Sequence, residues 1–123
     1  MLHEELTEKV IGAAYEVHNT LGFGFLEKVY ENALAVELRR SGLRVEQQKP
    51  VPVRYKGELV GDYVADMVVE GKAIVEAKAV SAIEPAHEVQ LVNYLKATGI
   101  EVGLLVNFGR KVEVKRKVFD AVQ

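Results

Sequence analysis

The sequence predicts an α/β fold in which two helices, three strands, a third helix and two strands follow one another along 123 residues. Apolar residues recur at helical spacing before Gly42 and at strand spacing after it. Pro50 and Pro52 exclude a helix just beyond that change. Val102–Phe108 is almost wholly apolar, which is typical of a strand buried on both faces of a sheet. The length suits one domain, predicted over residues 1–123.

The composition is that of a globular protein, with 49% hydrophobic and 28% charged residues. The formal charge of −2 gives no general attraction to nucleic acid, although phosphate binding depends on local basic patches. The sequence has no cysteine, which excludes disulfides and thiolate metal sites. It shows no signal peptide and no apolar stretch of the roughly 20 residues that cross a bilayer, so we expect a cytoplasmic protein without membrane association.

Helical spacing in the first third of the chain predicts two helices. The first begins near Thr7, a candidate N-cap, and ends at about Leu21. Two nearby glycines then predict a turn, and the second helix is expected from near Phe25 to about Arg40. The residues expected to face the core are Val10, Ala13, Ala14, Val17 and Leu21 in the first helix, and Leu26, Val29, Ala33, Leu34 and Leu38 in the second.

The rest of the chain alternates as strands do, apart from one helical segment that begins at Pro85 and ends at about Ala97. The predicted strands are Val45–Tyr55, Leu59–Val69, Ala73–Val80, Val102–Phe108 and Val112–Phe119. The prolines of the first strand favour the edge of a sheet. The last strand mixes valines with charged residues and is a second candidate edge.

Two charges lie in the middle of the apolar strand Ala73–Val80. Because strand side chains alternate, Glu76 and Lys78 point to the same face. Desolvating an isolated charge in apolar surroundings costs several kcal/mol or shifts its pKa until the group is neutral. These two residues are therefore paired, solvated at an edge, or functional.

A third charged residue, Asp66, joins this face only in one of two registers. A two-residue loop at Glu70 and Gly71 would place Asp66 opposite Val75, on the wrong face. A three-residue loop containing Gly71 would shift the pairing by one residue and bring Asp66 beside Glu76. The sequence leaves both registers open, with Asp66 expected on the face of Val64 and Val68.

The two carboxylates and the lysine would form a set with its own chemistry. Carboxylates are hard oxygen ligands for Mg²⁺, which keeps several waters and needs only one or two of them. The lysine can orient a water or stabilise charge on a phosphate. A structural ion pair at a sheet edge is the other explanation of these residues, because this spacing of Asp, Glu and Lys often occurs by chance.

A series of motifs resembles the PD-(D/E)XK nuclease superfamily and, more closely, the GxxExxY family of small bacterial and archaeal proteins. The matching segments run in one order along most of the chain and are VHNTLGFGFLEKVYE (17–31), YKG (55–57), Asp66, VEAK (75–78), HEVQLVNYL (87–95) and GLLVNFG (103–109). The chain departs from the family pattern at two positions, with Phe23 in place of a proline and Ala77 in place of a leucine. These departures affect turn stiffness and packing only.

The resemblance implies a restriction-endonuclease-like core with a central mixed sheet flanked by helices. It also implies Mg²⁺-dependent hydrolysis of phosphodiester bonds in nucleic acid, with Mn²⁺ as an alternative ion and DNA favoured over RNA. Asp66 and Glu76 would hold the metal, Glu27 would assist, and Lys78 would position the attacking water. Because many enzymes of the superfamily pair two sites to cut two strands, we expect a homodimer.

Four residues are candidate substrate contacts. Gln90 and Tyr94 lie four apart on one helical face and match a Q-x-x-x-Y motif of exonuclease-type members. His87 lies one turn before them, and Tyr30 lies one turn after Glu27. Each also has an ordinary structural explanation, in the core for Tyr30, half-buried for Tyr94, and on the surface for Gln90 and His87. Glu27 has one as well, as a first-turn residue favoured by the helix dipole.

Nucleic-acid contact would require basic side chains, although such runs are usually solvated strand faces. A binding module that keeps the nuclease fold without hydrolysis is the competing function. The basic candidates are Lys49, Arg54, Arg110, Lys111, Lys115, Arg116 and Lys117.

Overall fold

The computed structural model describes residues 3–120 and has the predicted order of elements. Residues 1–2 and 121–123, which the predicted domain includes, lie outside the described residues. The elements are α1 (Glu4–Leu21), α2 (Glu27–Arg40), β1 (Val45–Tyr55), β2 (Glu58–Val69), β3 (Ala73–Lys78), α3 (Pro85–Thr98), β4 (Val102–Phe108) and β5 (Val112–Val118).

The five strands form one mixed sheet in the order β1-β2-β3-β4-β5. All neighbours are antiparallel except β3 and β4, which are parallel and are joined by α3, as a parallel pair needs a crossover connection. Both predicted edges, β1 and β5, are edges of this sheet. Every residue of β4 is buried, as its apolar run predicts.

Helices α1 and α2 pack on one face of the sheet, where the apolar stripe predicted for α1 forms the core with Val75 and Ala77 of β3. Helix α3 packs on the opposite face against Ile74. The approach of α3 to β4 is close, because a Cβ on Gly103 would lie 2.8 Å from Leu91 Cδ1. The face that carries Glu76 and Lys78 is therefore the face of α3.

The two N-terminal helices differ from the predictions in detail. Helix α1 begins at Glu4, and Thr7 is buried in the first turn, where its hydroxyl donates to the Glu4 carbonyl oxygen at 2.9 Å. Leu26, which precedes the first residue of α2, is 80% exposed, and Val29 is also exposed. The helix is rotated away from the predicted stripe because Tyr30 lies in the core. Its buried residues are Tyr30, Glu31, Leu34, Ala35 and Leu38.

The β1–β2 ribbon changes face midway along its length. Met67 packs with α1 and α2, but Ala65 packs with α3, so the alternation of β2 is interrupted at Asp66. Gln48, which lies at the corresponding point of β1, has a φ of 54°. Val64, which is exposed, consequently lies on the face opposite Val68, whereas the prediction placed the two on one face with Asp66. The outer half of the ribbon is thereby turned toward α3.

Strand β3 ends at Lys78, two residues earlier than predicted. The chain beyond it is held by a side chain and not by a strand ladder. Asn107 accepts a hydrogen bond from the Val80 N–H and donates one to the Val80 carbonyl oxygen, both at 2.9 Å.

Candidate active site

The turn between β2 and β3 decides whether the predicted carboxylates meet. Val69 pairs with Ala73, which leaves three residues in the turn. Glu70 and Gly71 both have positive φ, 55° and 64°, which makes this tight reversal possible. The three-residue alternative is therefore confirmed, and this register continues to place Asp66 beside Glu76.

Asp66 and Glu76 meet where the backbone ladder between β2 and β3 stops. The Asp66 N–H donates to Glu76 Oε2 at 2.6 Å, and the Ala77 N–H donates to Asp66 Oδ2 at 2.8 Å. The last paired residues of the two strands are Met67 and Val75. Each carboxylate thus takes the place of a backbone acceptor at the point where the strands separate, and this contact fixes its orientation.

Burial disfavours the charged form of both carboxylates. Glu76 is only 5% exposed, and burial, followed by the charge of Asp66, raises its pKa to about 8. Burial also raises the pKa of Asp66 to about 6, and the charges of Glu31 and Glu27 act in the same direction. The backbone hydrogen bonds and Lys78 oppose these shifts without cancelling them. A positive charge placed here would be strongly favoured.

Lys78 is the last residue of β3 and lies on the face of Glu76. It is half-buried, and its charge lowers the pKa of both Asp66 and Glu76. The structure thus brings together the three residues predicted to be catalytic.

Asn107 was not among the predicted site residues, yet it lies next to the site. It is completely buried in β4 opposite Lys78, and it holds the Val80 backbone just after that lysine. The sequence feature that could have identified Asn107 is that it is the one polar residue in the apolar run Val102–Phe108.

Two glutamates of α2 lie near the site in different environments. Glu27 is exposed at the start of the helix, and its charge raises the pKa of both site carboxylates. Glu31 is 3% exposed and accepts hydrogen bonds from Lys28, Gln47 and Gln48. Glu31 was not among the predicted site residues, although it follows Glu27 by four residues and so shares its helical face.

The donor set fits a hard divalent cation held by two protein carboxylates. One oxygen of each carboxylate accepts a backbone N–H, and the other accepts no hydrogen bond from residues 3–120. Within the same residues, no group of three or more His, Cys, Asp or Glu is arranged as a metal site. Mg²⁺ fits such a pair because it commonly uses one or two carboxylates and fills its other positions with water and phosphate oxygens. Glu27 is not part of a three-residue ligand group.

Three of the predicted substrate contacts lie together on α3. Gln90 Nε2 donates to the Tyr94 hydroxyl at 3.0 Å. Burial and then the charges of Glu76 and Asp66 raise the pKa of Tyr94, which packs with Ile74 on the face of the sheet that carries Glu76. His87 lines the same groove as Gln90, although its Nδ1 accepts the Glu84 N–H at the start of α3.

Tyr30 differs from the other predicted substrate contacts because it is completely buried. Its ring stacks on Phe108 with 4.7 Å between centroids, and its hydroxyl donates to the Gly22 carbonyl oxygen at 2.6 Å. The same hydroxyl accepts the Phe25 N–H. We therefore assign Tyr30 to the core, where it holds the α1–α2 loop, and not to the substrate contacts.

The candidate basic residues are dispersed. Lys117 pairs with Glu88 of α3 at 2.7 Å, and Arg110 lies over the ring of Phe23. Lys49 pairs with Glu46. Arg54 is the member of this set that lines the groove beside α3.

The comparison with protein families identifies the class of this fold and site. The model of the PD-(D/E)XK nuclease superfamily matches residues 4–117. The chain therefore belongs to the PD-(D/E)XK nuclease superfamily. No curated protein has a significantly similar sequence. Among the described residues, no helix is both long and apolar enough to cross a membrane.

Two solved structures share the fold at low sequence identity. An alkaline exonuclease, LHK-Exo from Laribacter hongkongensis, is 14% identical with a TM-score of 0.57, over 76% of this chain and 56% of that one. The structure of SSO0001 is 19% identical with a TM-score of 0.55, over 94% of this chain and 59% of that one. The chain spans a little over half the length of each, and these similarities show a nuclease fold.

Proposed function

We propose that this protein is a Mg²⁺-dependent nuclease that hydrolyses phosphodiester bonds in nucleic acid. The observation that carries the proposal is the meeting of Asp66 and Glu76 where β2 and β3 separate, with Lys78 on the same face. Superfamily membership supports it, and the GxxExxY motifs suggest the finer assignment within that superfamily.

In this proposal Asp66 and Glu76 would hold the cation, and Glu27 would assist them. The bound ion supplies Lewis-acid polarisation of the phosphate and a lower pKa for water. Both carboxylates are oriented before any ion arrives, because the Asp66 and Ala77 backbone N–H groups hold them. Mn²⁺, which takes similar oxygen ligands, should substitute.

Lys78 orients the attacking water and stabilises the negative charge that develops on the phosphate. Asn107 contributes indirectly, because it holds the segment that follows Lys78. Gln90 and Tyr94, joined by a hydrogen bond, bound the site on the side of α3, and His87 extends that boundary by one turn.

A cleavage assay on mixed single- and double-stranded DNA and RNA tests the proposal, with Mg²⁺, Mn²⁺ or EDTA added. We expect products with either ion, none in EDTA, and none with Asp66→Asn or Glu76→Gln. These amides keep an oxygen for the backbone N–H and remove the charge. Binding without products in any metal would contradict hydrolysis and favour a binding module.

DNA as the preferred substrate and a homodimer are finer parts of the same proposal. The exposed edge strand β5 offers a surface for self-association, because Val118 is 51% exposed and the strand has no partner beyond β4 within residues 3–120. Light scattering should give twice the mass of the chain. A single-chain mass at working concentrations would contradict the dimer and leave the nuclease proposal intact.

A further inference from the structure

A groove lies between the outer half of the β1–β2 ribbon and α3, next to the candidate active site. It has a volume of about 850 Å³. The change of face at Gln48 and Asp66 forms it, because this turns the ribbon toward α3. Tyr94 lines the groove and packs with Ile74, so the groove lies on the same face of the sheet as Glu76 and Lys78.

The floor of this groove carries an exposed aromatic ring. Tyr63 of β2 is 50% exposed, and its ring centroid lies 6.0 Å from that of Tyr94 at a tilt of 48°. Val53 and Val89 add apolar surface beside it. Tyr63 has no role in the mechanism proposed above, yet it keeps half of its surface in water beside the site.

The polar groups of the groove are of two kinds. Gln90 and Asn93 carry amides that can donate to and accept from the edge of a base. Arg54 and Lys96 are exposed cations at its border. None of the described residues that line the groove is acidic, so the charge of the lining suits phosphate groups.

This combination of side chains suits a single strand better than a duplex. Bases in a duplex are stacked on one another and present only their edges, whereas an unpaired base can stack on an aromatic side chain. An exposed tyrosine with amides and cations around it offers a ring for the base, partners for its edge and charges for its phosphates.

We infer that this groove binds an unpaired nucleotide with its base stacked on Tyr63 and its phosphates against Arg54 and Lys96, and that it selects single-stranded nucleic acid for the adjacent site. The inference rests on the proposed function in taking nucleic acid as the substrate. It adds the strandedness of that substrate and a specificity residue, Tyr63.

Fluorescence anisotropy in EDTA, which prevents cleavage, tests binding separately from catalysis. The probes are a labelled DNA strand of about 12 nucleotides and the same strand annealed to its complement, a length within the range that single-strand sites cover. We expect the full chain to bind the single strand about tenfold more tightly than the duplex. Tyr63→Ala should lose about tenfold or more in affinity for the single strand, and Tyr63→Phe, which keeps the ring, should stay within about twofold.

Tyr15 provides a matched control, since it is 49% exposed on α1, on the other side of the sheet. Tyr15→Ala should bind like the wild type, and Arg54→Ala should weaken binding of the single strand. Far-UV circular dichroism checks the folding of each variant. Equal or tighter binding of the duplex, or equal binding by Tyr63→Ala and Tyr63→Phe, would overturn the inference. Binding of neither probe, as a peptide groove would give, would also overturn it.

The same two probes in Mg²⁺ separate this inference from the proposed function. Selective binding of the single strand without products would contradict hydrolysis and support the groove assignment. Cleavage that requires Glu76 but treats duplex and single strand alike, with Tyr63→Ala as active as wild type, would support the nuclease and overturn the groove assignment.

Discussion

Two buried glutamates on neighbouring elements have opposite surroundings. Glu31 belongs to a polar cluster, the Glu31 cluster, formed by Lys28, Glu31, Gln47 and Gln48, in which three side chains donate to one carboxylate. Glu76 is equally buried but accepts one backbone N–H and lies beside Asp66, a second acid. Buried charge alone therefore does not indicate function in this protein.

The difference lies in what compensates each charge. Buried polar groups in folded proteins are normally hydrogen-bonded, and the Glu31 cluster meets this rule with its own side chains. The Glu76 site leaves carboxylate oxygens without protein donors and places two acids together, so its compensation has to come from a bound cation or a proton. The first arrangement stabilises the fold, and the second is the basis of the proposed cation binding.

The largest expected effect is on the cleavage rate, when Lys78, the lysine beside Glu76, is replaced. If Lys78 acts in the transition state, Lys78→Ala should lower the cleavage rate by about 100-fold or more while metal and nucleic-acid binding persist. Lys78→Arg should not restore the rate, because its larger guanidinium cannot give up a proton. Rates at saturating substrate, together with binding measured in EDTA, check this.

Lys28→Ala is the matched control for that comparison. Its side chain is 57% exposed, so loss of its ion pair with Glu31 should cost less than about 1 kcal/mol and leave the cleavage rate unchanged. A Lys78→Ala variant with a lower melting temperature and an unchanged rate would assign Lys78 to a structural ion pair instead.

The second-largest expected effect is on the free energy of unfolding, when Glu31 and Glu76 are each replaced by glutamine. Glu31→Gln turns an amide NH₂ toward donor groups and should lower the free energy of unfolding by about 1–3 kcal/mol. Glu76→Gln keeps the acceptor for Asp66 and removes a repelling charge, so at pH 8 without metal it should be neutral or stabilising. Urea unfolding in EDTA measures both. Equal destabilisation by the two variants would remove the distinction between the sites.

Metal binding should distinguish the two sites in the same way. A cation that binds only the folded protein stabilises it by about 2.7 kcal/mol at a hundred times its Kd. Mg²⁺ should therefore raise the melting temperature of the wild type and of Glu31→Gln, but not of Asp66→Asn or Glu76→Gln. An unchanged response in the last two variants would place the ion elsewhere.

The smallest expected effect is on the pH dependence of stability without metal. Folding raises the pKa of Asp66 to about 6 and that of Glu76 to about 8, so between the unfolded pKa values and these values the folded state holds more protons. Their contribution to stability is therefore present below about pH 4 and is lost as the pH rises through 6 and 8. In EDTA, Glu76→Gln should lose less stability than the wild type between pH 5 and pH 8, by about 1 kcal/mol or more.

Mg²⁺ should reverse that trend, because protons and cations compete for the same oxygens. The metal-induced rise in melting temperature should be larger at pH 8 than at pH 5.5. An identical pH profile for wild type and Glu76→Gln in EDTA would mean that Glu76 is not protonated in the folded protein.

The features of the fold that the sequence predicted correctly are those that follow from short-range periodicity. The bounds of β1 and β4 agree with the predictions because prolines and an apolar run are local signals. Periodicity also placed Glu76 and Lys78 on one face. It failed for α2, where Leu26 and Val29 were expected to be inside, because stacking of Tyr30 on Phe108 rotates the helix and Phe108 lies in a strand far along the chain.

By itself the sequence determined the type of each element and the side of β3 on which the charges lie, since both follow from the geometry of a few consecutive residues. The tertiary structure decided the three-residue turn that joins Asp66 to Glu76 and the change of face at Gln48 and Asp66. It also decided that Glu31 is buried with donors around it. These outcomes depend on which distant residues pack or pair together, and local backbone geometry does not contain that information.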